Sequence, residues 1–184
     1  MEIAALIISG LSFVIAIVGT ALANKRSKEA LAESRKAAAT AIWSAVQQAV
    51  QRFIGFDPTT EPVGDRLADF RIATIALVDE LDDWEGLDTW LESERALGTA
   101  LVRQVMKSAQ PGDSSDERLA ALARYQLWAQ VLGQNLRRFR KAGFVPAAAS
   151  QLQAAAEEQI KAISAKHGWE LPPTEHPGVS PLEL

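Results

Sequence analysis

A chain of 184 residues, 48% of them hydrophobic, can fill one real core, which excludes a chain disordered throughout. Its formal charge of −4 offers no general attraction for nucleic acid and argues against a nucleic-acid binder. The absence of cysteine removes thiolate catalysis, disulfide scaffolds and thiolate metal sites, and the two histidines, His167 and His176, match no metal-ligand or protease motif. Thirty-two alanines against one tyrosine, with few β-branched residues after the N-terminus, favour an all-α chain.

The first element is apolar. From Ile3 to Leu22 the chain has twenty residues without an ionisable side chain, and at about 1.5 Å rise each such a helix spans about 30 Å, the hydrocarbon thickness of a bilayer. Ala21-Leu22-Ala23 resembles a signal-peptide cleavage site, but a signal peptide carries positive charge before its apolar region. Here Glu2 precedes it, and Lys25, Arg26, Lys28, Arg35 and Lys36 follow. The expectation is an uncleaved single-pass transmembrane anchor over residues 1–23, N-terminus outside and C-terminal domain cytoplasmic, with Lys25, Arg26 and Lys28 at the lipid headgroups.

Within the span, Ala5, Ser9, Ser12, Ala16, Gly19 and Ala23 recur at alternating spacings of four and three. Such a small-residue seam permits close backbone approach, and therefore pairing with a second copy or with another protein's span. Composition alone also generates such stripes.

The predicted anchor continues without a helix breaker into a cytoplasmic up-and-down bundle of about five helices over residues 24–168. In the first, Leu31, Ala38, Ile42, Val46, Ala49, Val50 and Phe53 form an apolar stripe widened by Trp43, and the stretch FDPTTEPVGD then forms a loop. A second helix carries Leu67, Phe70, Thr74, Leu77, Val78, Leu81 and Trp84, and Gly86 ends it. Asp88 is expected to cap a third, with Trp90, Leu91, Leu97, Leu101, Val102, Val105 and Met106 inward until Gln110-Pro111-Gly112. Ser114 and Glu117 have capping-box spacing for a fourth helix through Leu119, Leu122, Tyr125, Trp128, Leu132, Leu136 and Phe139, with Gly143 as its stop. A fifth spans about Pro146 to His167, with Leu152, Ala156, Ile160 and Ile163 on one side and Gly168 after it. Residues 169–184, with four prolines, are expected as an extended tail. The aromatic and leucine stripes read as core, so Trp84, Trp90, Tyr125 and Trp128 are not assigned to a cofactor site.

Two charge runs stand out. Asp79, Glu80, Asp82, Asp83, Glu85 and Asp88 put six carboxylates into ten residues. They fail the calcium-loop pattern, because counting from Asp79 the third position is Leu81 and the sixth Trp84. Arg137, Arg138, Arg140 and Lys141 form the basic run, at a helix C-terminus that favours cations. Either run reads as a solvated helix end or as a face for a partner. No phosphate-cradling glycine loop, metal set or nucleophile–base arrangement is visible, and no cofactor or catalytic residue is expected.

These features favour a non-enzymatic, membrane-tethered interaction protein, an adaptor or regulatory subunit whose partners are membrane lipid and another protein or a second copy. The alternatives are a membrane-acting effector or stress and phage-defence component, and an enzyme whose scattered carboxylates assemble only in three dimensions. The plan resembles that of small bacterial membrane proteins with one N-terminal span and an alanine- and arginine-rich helical domain, which implies a bacterial inner membrane.

Overall fold

The computed structural model describes residues 2–110 and 112–170, and the side chains of 26–110 and 112–170. Five helices make up the fold: α1 (Glu2–Gln51), α2 (Gly64–Glu80), α3 (Leu87–Ser108), α4 (Ser115–Ala142) and α5 (Pro146–His167). Among the described residues there is no strand. The chain divides into two compact units, residues 1–41 and 42–184. The side chains of the expected span and its seam, with Lys25, lie outside the described residues. Among those that are described, no helix is long and apolar enough to cross a membrane.

In the first unit the described side chains from Arg26 to Ala38 are all exposed. Leu31, expected in the apolar stripe, is 55% exposed, and Ala38 is exposed as well. Periodicity there meets no packing partner among the described residues.

The second unit holds the core. Burial on α1 begins at Trp43 and continues through Val46, Ala49 and Val50 to Phe53. Helix directions follow from who meets whom. Trp43 lies 5.8 Å from Trp84, just beyond α2, while Phe53 lies 5.8 Å from Phe70 in the first half of α2. The end of α1 therefore runs antiparallel to α2. Trp90 near the start of α3 meets Phe139 near the end of α4 at 5.2 Å, so these two are antiparallel. Gln104 near the end of α3 lies 3.4 Å from His167 at the end of α5, so α3 and α5 run parallel. Trp84 beyond the end of α2 stacks on Phe144 beyond the end of α4, so α2 runs with α4 and against α3, and the directions alternate. Packing is less sequential than the up-and-down reading implied, because α3 sits between α2, α4 and α5. That position explains why its buried positions (Leu87, Trp90, Leu91, Glu94, Leu97, Gly98, Ala100, Leu101, Val102 and Val105) cover a broad face, a little over half of its circumference.

The helix boundaries test the local signals. Ser114 caps α4 with both halves of the capping box, its hydroxyl accepting from Glu117 N–H at 3.3 Å and the Glu117 carboxylate accepting from Ser114 N–H at 2.8 Å. Gly143 ends α4 at φ +91° and Gly168 ends α5 at φ +64°, both in the positive region that favours glycine.

Three boundary expectations are corrected. Helix α2 stops at Glu80, before Trp84, because carboxylates crowd a C-terminus whose unpaired carbonyls already carry negative partial charge. Gly86, at φ +84°, does not end α2 but stands as N-cap of α3. Asp88 therefore lies in the first turn of α3 and is not its cap. Two expected core residues are also exposed, Met106 by 56% and Leu119 by 65%. Trp169, expected in the extended tail, instead packs partly buried against the core.

Candidate interaction surface

The alternating helix directions bring both charge runs to the same end of the second unit, the end that holds Ile42 and Trp43. Asp79 and Glu80 close α2, Asp82, Asp83 and Glu85 occupy the turn, and Asp88 opens α3. Arg137 and Arg138 approach the end of α4, and Arg140 and Lys141 lie in its last turn. All ten side chains are exposed. An aromatic stack links the two segments. Trp84 of the acidic turn lies against Phe144, immediately beyond the basic run, with ring centres 4.8 Å apart and planes 12° from parallel. Phe144 in turn packs on Phe139 at 5.2 Å.

Among the described residues the two runs form no ion pair with each other. Ion pairs among the described residues lie elsewhere and include Arg52 with Asp69, Arg66 with Glu61 at 2.9 Å, and Arg95 with Glu92. Gln134, Arg137, Arg138 and Lys141 line a shallow, open depression on the basic side. Its donors are guanidinium and ammonium groups, suited to carboxylate or phosphate oxygens. No group of three or more potential metal-ligating side chains occurs among the described residues.

Among the described residues one carboxylate is buried, and sequence reading missed it. Glu94 accepts from the indole N–H of Trp90 at 3.0 Å and from that of Trp128 at 2.8 Å. Burial pushes its carboxyl above the usual range, and the two indole bonds oppose that rise. Both oxygens are occupied by core donors, so Glu94 ties α3 to α4. Trp90 and Tyr125 are fully buried and Trp128 nearly so, placing all three in the core as expected; Trp84 is half-buried.

A second charged cluster, also unread from the sequence, sits at the opposite end. There Trp169 stacks on His167 with ring centres 4.4 Å apart, and the Arg103 guanidinium lies 4.1 Å from the Trp169 ring centre. No family model, curated protein or solved structure matches this chain.

Proposed function

We propose that the chain is a membrane-anchored helical interaction protein whose charged bundle end binds a protein partner at the membrane surface. The observation that carries this reading is the placement of six carboxylates and four cations, all exposed, at one end of the second unit, with no ion pair between the two runs among the described residues. Charges that only solubilise a bundle need not gather at one end, and opposite-sign patches steer and orient a docking partner. The uncharged stretch Ile3–Leu22 and the basic residues after it support the anchor and a cytoplasmic bundle. Tethering raises the effective concentration of the bundle toward partners held at the same membrane, which suits modest intrinsic affinity.

Purification of the tagged chain in mild detergent, with identification of what copurifies, tests the reading against a variant carrying Asp82→Lys and Asp83→Lys. A defined partner recovered with the wild type and lost with the variant supports it. The same recovery from both, or none from either, contradicts it. Replacing Ser12 and Ala16 by leucine, with Ile7 and Val14 as off-seam controls, tests separately whether the span itself pairs.

A further inference from the structure

At the end of the second unit away from the two charge runs, three basic groups, Arg103, Lys107 and His167, converge on one indole, with Lys166 beside His167 in the chain. Arg103 and Lys107 stand one turn apart near the C-terminus of α3, and Lys166 and His167 close α5. Gly168, at φ +64°, turns the chain back, and Trp169 N–H bonds to the Ser164 carbonyl at 3.0 Å. This return places the Trp169 ring against α3, with Arg103 Cζ 4.1 Å and Lys107 Nζ 5.5 Å from its centre and the imidazole stacked at 4.4 Å. Among the described residues none of the three permanent cations has an ion-pair partner. Cation–π contact and the negative ends of α3 and α5 hold them there without neutralising them.

The arrangement is suited to an oxyanion. A guanidinium laid on an indole face keeps its in-plane N–H edge free for two oxygens, and Lys107 and Lys166 add point charges nearby. His167 registers the uncompensated field. Partial burial, then Lys107, Lys166 and Arg103, hold its imidazole below the usual histidine range, with no carboxylate opposing them among the described residues. We propose that Arg103, Lys107, Lys166 and His167 bind a soluble phosphate monoester through its phosphoryl group. This assignment is independent of the charged end and its partner.

Inorganic phosphate, titrated into the full chain in detergent at constant ionic strength with chloride as the control anion, is the probe. NMR of the His167 ring and the Trp169 indole gives the readout. The site predicts saturable shifts with phosphate and not chloride. It also predicts a rise in the His167 titration midpoint when phosphate is bound, since a bound dianion favours the imidazolium. Arg103→Gln and Lys107→Gln, both at exposed positions, should each weaken binding by about tenfold, the loss expected of one charge-assisted contact. Lys161→Gln on α5 should bind as the wild type does. Non-saturating shifts, equal responses to phosphate and chloride, or equal weakening by Lys161→Gln would overturn the site. So would shifts produced by vesicles containing phosphatidic acid but not by free phosphate.

Discussion

Gly98 on α3 and Trp128 on α4 meet where a β-carbon has no room: one built on Gly98 would lie 2.6 Å from Trp128 Cζ2 and nearer still to Cη2. The indole cannot easily withdraw, because it is buried and its N–H is bonded to Glu94 at 2.8 Å.

Two effects of Gly98→Ala therefore oppose each other. Alanine in a helix interior gains about 1 kcal/mol over glycine, while overpacking a rigid core costs about 1–3 kcal/mol. With a buried ring as the obstacle, the steric cost wins, and urea unfolding should show a net loss. Gly133→Ala is the control. There the new Cβ would stand 3.5 Å from Val50 Cγ1, an ordinary contact, so about 0.5–1 kcal/mol of stability should be gained.

Glu94→Ala leaves the buried indole donors of Trp90 and Trp128 without acceptors, at about 1–3 kcal/mol each, so a destabilisation of about 3 kcal/mol is expected. Pairing it with Trp128→Phe, which removes one orphaned donor, should make the two losses less than additive in a double-mutant cycle.

The same carboxylate predicts a pH effect. Its folded value lies above the ordinary 4.5, so its contribution is fully present below that value and is lost as pH rises through the folded one. Glu94→Gln does not titrate. Relative to that variant, the wild type should become progressively less stable from pH 4 toward neutrality. A wild-type-minus-variant difference that does not change with pH would contradict the buried, protonation-sensitive carboxyl.

Tyr125 is fully buried, and its hydroxyl has no hydrogen-bond partner among the described residues. The ring contacts with Phe53 at 6.3 Å and Trp128 at 5.8 Å do not involve the oxygen. Tyr125→Phe should therefore keep the packing and raise the melting temperature, with a gain of up to about 1 kcal/mol from removing an unsatisfied polar group.

At the start of α4, Ser114→Ala should cost about 1 kcal/mol by removing the cap. Glu117 is held below the usual carboxylate range by the Ser114 backbone bond first and its hydroxyl second. Its contribution is present above 4.5 and is lost as pH falls through the folded value. The penalty of Ser114→Ala should consequently be smaller in acid below the folded Glu117 value than at pH 7, because a protonated Glu117 is the weaker acceptor for the hydroxyl.

What the sequence made legible was local. Ser114 with Glu117, Gly143, Pro146 and Gly168 mark boundaries through interactions spanning a few residues, and the structure places α4 and α5 where they indicate. What it hid depends on partners distant in the chain. Leu31, Met106 and Leu119 fit helical stripes, but no neighbour among the described residues covers them. The Trp90–Glu94 spacing of one turn was visible; the second donor, Trp128, lies 34 positions from Glu94. Likewise His167 meets Gln104 across 63 positions, so the basic cluster around Trp169 emerges only when α5 packs on α3. The acidic and basic runs were both legible as segments. Their placement at one end required the alternating helix directions and the Trp84–Phe144 stack.

Photocrosslinking in cells tests most directly whether the charged end is a contact surface. A photoreactive residue is placed in turn at Asp83 and at Arg138, with Glu158 on the exposed side of α5 as control. Discrete adducts of one defined mass from positions 83 and 138, and none from 158, are predicted. The same pattern from all three positions, or no adduct from either charged run, would contradict the assignment of that end to a partner.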